Sequence, residues 1–257
     1  MNIAITSDLH LESYRSDKLL EAFIDHIISQ LDSKDLDVIV LAGDISSKDH
    51  LLGKFFSALR KWNSEIFILF VPGNHEFYGK WKSIPDVNND LKVLCDSFKI
   101  DFLNEGSCKV IKGVCWIGTT LWSAIQQNTY MPELGCLKHI KDFRNNQFNF
   151  LQRHEFELRQ LEMSITTSIS TPKVIISHYL PSLSLIDPSF AGSSLNSAFA
   201  SDLDRLFLNK DIRLWIAGHT HKRTKTNIHQ VPVIVWPLGY CKEYPEHMEQ
   251  AWCFETI

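Results

Sequence analysis

Two aspartates, one asparagine and five histidines stand directly after apolar runs in this 257-residue chain. Asp8 and His10 follow Ile3-Ala4-Ile5-Thr6, in Ser7-Asp8-Leu9-His10. Asp44 follows residues 36–42 (LDVIVLA), in Gly43-Asp44. Asn74 and His75 follow the most apolar stretch, Ile66-Phe67-Ile68-Leu69-Phe70, in Gly73-Asn74-His75-Glu76. His178 follows residues 173–176, and His219 and His221 follow residues 212–217, in Gly218-His219-Thr220-His221. Each of the five endings has a small residue next to a side chain that can bind a metal.

Setting His75 aside, seven of these side chains are two carboxylates, one amide and four imidazoles. That donor set suits borderline divalent metals such as Mn, Fe, Zn, Co or Ni. Seven ligands are too many for one ion and suit two if one carboxylate bridges. Two such ions can bind a phosphoryl oxygen and hold a hydroxide for in-line attack. Taken singly, Asp8 or Asp44 reads as a turn or cap residue, and a lone histidine as an ordinary polar one. The joint pattern carries the metal reading.

The elements that position these groups follow from periodicity. Residues 3–6, 36–42 and 66–71 read as buried strands. Apolar spacing predicts helices over 16–31 and 49–62. The first 75 residues therefore read β-α-β-α-β, a parallel sheet with crossover helices. In such sheets the crevice lies beyond the carboxyl ends of the strands. A third helix is expected over 87–98 and a hairpin over 107–119, turning at Lys112-Gly113. A long surface helix is expected over 148–165, strands over 173–176 and 212–217, a helix over 197–208, and antiparallel strands over 231–236 and 252–255. No repeat or linker divides the chain, so one domain, 1–257, is expected, with residues 120–170 as a helical excursion.

The totals narrow the function classes. Net charge is −4 with both signs dispersed. No basic run suggests nucleic acid, which is disfavoured as a partner. No stretch approaches the roughly 20 apolar residues of a membrane span, and no secretory signal is read at the start. Six cysteines without a C-x-x-C pair read as reduced thiols, so a cytoplasmic setting is expected. The oligomeric state is not readable.

The motifs D-x-H, G-D, G-N-H-E, a lone H after a strand and G-H-T-H, in this order from residue 8 to residue 221, resemble the calcineurin-like metallophosphoesterase family. The resemblance implies an α/β (α+β) fold, a four-layer αββα sandwich of two mixed β-sheets flanked by helices. It implies a binuclear-metal-dependent phosphoesterase that hydrolyses a phosphomonoester or phosphodiester by attack of a metal-bridging hydroxide. It assigns Asp8, His10 and His221 to one metal and Asn74, His178 and His219 to the other, with Asp44 bridging. Two divalent ions are expected, Mn first, with Fe, Zn, Co, Ni or Mg as alternatives. His75 matches the family's catalytic histidine, which serves the leaving-group oxygen. Glu76 is placed behind His75 or a ligand. The expected partner is a small phosphorylated substrate. The competing readings are a nuclease of the same superfamily and a non-catalytic scaffold.

Departures exclude branches. Asp44 is followed by Ile45-Ser46-Ser47 and no Asp/Asn-Arg-Gly run, which disfavours serine/threonine protein phosphatases and diadenosine tetraphosphate hydrolases. Ser47 stands where purple acid phosphatases have tyrosine, and His75 where lipid-A-pathway pyrophosphatases have arginine. The remainder resembles small stand-alone bacterial or phage phosphohydrolases. Two departures remain, Tyr179 where relatives have a second histidine and Trp236-Pro237-Leu238-Gly239-Tyr240 near the end. Arg144, in Lys141-Asp142-Phe143-Arg144, is a candidate phosphate clamp or an ordinary surface arginine. His139 and Tyr130 lie nearby. The loop from Gly192 to Phe199 either lines the site or caps the next helix. His26 is expected in packing, and His50, His154, His229 and His247 on the surface. The Lys222-Arg223-Lys225 cluster is thin support for a nuclease.

Overall fold

In the computed structural model, residues 1–32, 34–125, 140–142, 148–167, 171–193, 195–241 and 243–257 are described. Strands β1 (Asn2–Thr6), β2 (Val38–Ala42) and β3 (Phe67–Val71) run parallel, with Ile3 opposite Val38 and Val40 opposite Leu69. A short β4 (Asp101–Phe102) extends one edge, and β11 (Cys253–Thr256) pairs antiparallel with β1 at the other. The second sheet runs β5 (Ser107–Ile111), β6 (Val114–Thr119), β7 (Lys173–Ser177), β8 (Ile212–Ala217), β10 (Val231–Val235), β9 (Thr224–Ile228). Its central pairs are parallel and its two edge pairs antiparallel. Both sheets are therefore mixed.

The side-chain alternation of a strand divides the core in two. Ile3, Ile5, Val38, Val40, Leu69 and Val71 join Trp116, Val174, Ile176 and Ile216 in one buried cluster between the sheets. Ala4, Ile39, Leu41, Ile68 and Phe70 turn the other way and pack with the helices. Helix α1 (Asp17–Ser29) starts where the Ser16 side chain accepts from the Leu19 N–H, and α2 (Asp49–Trp62) places Phe56 against Phe70. Helix α3 (Ile84–Ser97) is capped by Ser83 and has Pro85 in its first turn, where a missing N–H costs nothing. Helix α4 (Phe150–Thr167) lies on β5 and β6. Helices thus flank two mixed sheets, as expected. No helix among the described residues is long and apolar enough to cross a membrane.

Three expectations need correction. No α-helix forms over 197–208; two 3-10 turns, Asn196–Ala198 and Asp204–Leu208, take its place. The reason is a competing set of bonds. The Ser201 and Leu203 N–H groups donate to the Leu180 and Pro181 carbonyls, 3.0 Å each, so they are unavailable to a helix. His154 and His247 are buried rather than exposed, each with Nδ1 bonded to a carbonyl, that of Trp122 (2.7 Å) and Leu238 (3.0 Å). His26 is exposed and meets the Met248 carbonyl. Strand β9 lacks an apolar alternation because it is an edge strand with three exposed residues.

Candidate metal centre

The parallel strands β1, β2, β3, β7 and β8 all end at one crevice, and the side chains that follow them converge there. Five of the seven expected ligands have left-handed backbone: Asp8 (φ 54°), His10 (44°), Asp44 (55°), His219 (76°) and His221 (52°). Asn, Asp and His tolerate this region better than other non-glycine residues, but it still costs free energy. Such strain clusters at functional sites. The preceding glycines allow close approach. A Cβ on Gly73 would lie 2.2 Å from Asp44 Oδ1, and one on Gly43 would lie 2.4 Å from His178 Nδ1.

The donor atoms form two main groups. In the first, His10 Nε2 and His221 Nε2 are 2.8 Å apart, and Asp8 Oδ1 is 3.6 Å from His221 Nε2. In the second, Asn74 Oδ1 is 2.9 Å from His178 Nε2 and 3.1 Å from His219 Nδ1. Asp44 lies between them, with Oδ1 3.4 Å from His178 Nε2 and Oδ2 3.9 Å from His10 Nε2. Asp44, His178 and His219 are close enough to share an ion, as are Asp8, His10 and His221. A third grouping, His10, Asp44 and His75, overlaps both. Every one of the seven is buried except His221, which is partly exposed.

The residues present fit divalent cations. His178 Nδ1 donates to the Ala42 carbonyl at 2.9 Å, so in the neutral ring Nε2 has a lone pair facing the Asn74 carbonyl oxygen, another acceptor. That oxygen is fixed in place because Asn74 Nδ2 donates to Asp142 and Tyr78. Burial and the charge on His178 hold His219 well below the usual histidine range, so it is neutral. Its Nε2, like His10 Nδ1, is buried without a hydrogen-bond partner. Opposed lone pairs in a buried site require a cation or a proton. A proton on His178 meets the need in the protein alone. Burial opposes it, but Asp44 and Asp8 outweigh burial and push His178 up to about 10.

His75 sits at the open side of this group. Its Nδ1 is 2.7 Å from Glu12 Oε1, its Nε2 3.9 Å from Asp44 Oδ2 and 3.4 Å from the Tyr240 hydroxyl. Burial lowers its affinity for a proton, but Asp44 and Glu12 outweigh this and push it up to about 9. Burial would raise Asp44, yet His178, His75 and His10 hold it well below the usual carboxylate range. Glu76 accepts from the N–H groups of Gly73 (2.6 Å), Asp44 (2.9 Å) and Ser46 (3.0 Å). It therefore fixes the backbone that carries Asp44. Burial and the Asp44 charge push Glu76 up to about 7.

Three supporting residues were not singled out from sequence. Glu12 bonds His75, Asp142 bonds Asn74, and Glu243 meets His221 Nδ1 at 2.7 Å. Such outer partners orient ligands and fix their tautomers. Glu12 was the readable one, two residues past His10. Asp142 and Glu243 have no spacing signal. Arg144, His139 and Tyr130 lie outside the described residues. Leu195, Asn196 and Phe199 do line the crevice.

The chain belongs to the calcineurin-like phosphoesterase family, whose model matches residues 1–223. The chain is 30% identical over 261 residues to an uncharacterized protein of Acanthamoeba polyphaga mimivirus, covering 92% of this chain and 90% of that one. Its fold is similar to that of phosphopantetheinyl hydrolase from Mycobacterium tuberculosis, with TM-score 0.70, 14% identity, and 95% and 92% of the two chains covered. It is also similar to a dimetal phosphatase from Danio rerio, with TM-score 0.57, 16% identity, and 96% and 90% covered.

Proposed function

We propose that the chain is a two-metal hydrolase of a small phosphomonoester or phosphodiester. Asp8, His10 and His221 would hold one divalent cation, Asn74, His178 and His219 the other, with Asp44 shared. Mn is the first choice, Fe, Zn, Co or Ni suit the donors as alternatives, and Mg suits them least. The observation that supports this best is Asp44, whose two oxygens face different groups, 3.4 Å from His178 Nε2 and 3.9 Å from His10 Nε2. When bound, the cations would polarise a phosphoryl oxygen and lower the pKa of water.

The chain's own residues supply the remainder. Glu12 occupies His75 Nδ1, so the proton available for transfer is on Nε2, which faces the crevice. That nitrogen is placed to protonate a departing oxygen. The His75 N–H donates to Asp44 Oδ1 at 2.8 Å, which ties the proton donor to the shared carboxylate. Glu76 and the three N–H groups it accepts from keep both in register.

The test is a Mn-supplemented panel of a phosphomonoester, a phosphodiester, cyclic nucleotides and single-stranded DNA. Asp44→Asn and His75→Ala run beside wild type. Turnover of at least one ester, lost in Asp44→Asn, is expected. His75→Ala should keep its metals and lose rate, least where the leaving group needs no proton. If no substrate turns over, or if Asp44→Asn matches wild type, the two-metal hydrolase reading fails.

A further inference from the structure

A cleft of about 510 Å3 opens from the metal groups toward solvent. Asp44, Asn74, His75, His219 and His221 form its floor. Its walls are mainly apolar and aromatic: Ile186, Phe190, Leu195, Phe199, Tyr240 and Tyr244. Phe190 is 61% exposed and Tyr240 40%. An exposed phenyl ring at a cleft mouth leaves apolar area in water, at about 25 cal/mol per Å2 relative to burial. Phe190 is also held in place. Its N–H donates to the Asp187 carbonyl (2.8 Å), and its carbonyl accepts from Asn196 Nδ2 (2.9 Å).

Among the described residues, the cations along the same walls are few. Among the described lining residues the cations are Lys141 and Lys222, and Lys222 is paired with Asp187. A nucleic-acid track needs a row of cations beside its stacking rings. Among the described residues a polyphosphate would meet the same shortage. The cleft volume is in the range that encloses a small organic ligand, and a single phosphoryl group at the floor leaves most of it to fill.

We infer that the cleft takes the organic group of a phosphoester whose body is compact, flat and apolar, an aryl or fused-ring group rather than a polyol, a polyphosphate or a nucleic-acid strand. The inference rests on the phosphoester reading above and adds its substrate class. Phe190 and Leu195 supply the contact surface that discriminates: Phe190 ends the 3-10 turn Pro188–Phe190, Leu195 stands just before the turn Asn196–Ala198, and neither side chain carries a group that could bond the candidate ligands.

The experiment has a kinetic and a binding arm, both with the Mn-loaded protein. Glycerol phosphate, phenyl phosphate and 2-naphthyl phosphate are compared by kcat/KM, with a short single-stranded DNA as a fourth substrate. The two aryl esters have leaving groups of similar acidity, so their difference reports the cleft. Naphthyl over phenyl should be favoured about fivefold, the size expected for burying one further ring. Phe190→Ala should bring that ratio close to one. Calorimetry with 2-naphthylmethylphosphonate and methylphosphonate should show the same preference without turnover. If esters turn over with no preference for the larger ring, or the DNA is the best substrate, the inference is overturned while the phosphoesterase reading stands. If nothing turns over but the naphthyl phosphonate binds more tightly and Phe190→Ala removes that, the cleft assignment holds and the reaction assignment fails. Equal binding of the two phosphonates overturns the inference whatever the kinetics.

Discussion

Asn74 donates from Nδ2 to the Asp142 carboxylate at 2.9 Å, which leaves its carbonyl oxygen facing His178 and His219. Asp142 also accepts from the hydroxyls of Tyr78 and Tyr179, the latter at 3.1 Å. A residue about seventy positions away thus sets which end of an amide faces the metal groups. Replacing Asp142 with alanine should free that amide to rotate. Affinity at the Asn74 group should fall about tenfold to a hundredfold, the usual cost of losing an outer partner. Titration with Mn followed by calorimetry should then show one strong and one weakened site, and two unchanged sites would refute the role.

Glu12 holds His75 through Nδ1 at 2.7 Å and also accepts from the Ser47 N–H at 3.1 Å. Glu12→Gln keeps the shape and removes the charge. Metal content should be unchanged and kcat should fall about tenfold or more, within the range ascribed to proton transfer. The fall should be steeper for alkyl than for aryl leaving groups. A uniform loss across leaving groups would point to a structural role instead.

A third expectation concerns Gly73, where an added Cβ would meet Asp44 Oδ1 at 2.2 Å and the Asp44 N at 2.6 Å. Both neighbours are held in place by Glu76 and His75, so the site cannot yield cheaply. Gly73→Ala should lose metal binding and about 1–3 kcal/mol of stability, as for other overpacked sites. Denaturant melts with and without Mn measure both. A variant with wild-type metal content would show that the loop can shift.

His154 gives a pH dependence away from the metal groups. Burial pushes it below the usual histidine value of 6.5. The unfolded chain therefore takes up a proton at higher pH than the folded one does. The stability this group contributes is complete above pH 6.5 and is lost as pH falls through that value toward its folded one. Urea melts of wild type and His154→Gln at pH 7.5 and 5.5 test this. The wild type should lose more stability on acidification than the variant, and equal losses would exclude His154 as the cause.

The strand ends were readable because each couples two local signals, an apolar run of strand length and a small residue followed by a metal-binding side chain. Lys173-Val174-Ile175-Ile176 leading to Ser177-His178 is an instance, and β7 runs over those residues. What failed was whatever depends on distant partners. The segment 197–208 has helical spacing, yet Leu180 and Pro181 take its N–H groups. His154 has surface-like neighbours in sequence, yet Trp122 offers it a buried carbonyl. Asp142 reads as a plain polar residue until Asn74, Tyr78 and Tyr179 close around it.

The left-handed backbone at Asp8, His10, Asp44, His219 and His221 has a consequence for how this centre could decay. Glycine would relieve strain at any of the five positions, and asparagine is well tolerated there. Each such exchange removes or weakens a side chain proposed to hold a metal, while easing the chain. A β-branched replacement would do the opposite and strain the fold further. Drift at these positions is therefore not neutral in direction. The mutations easiest on folding at these five positions are those that would take away a candidate ligand.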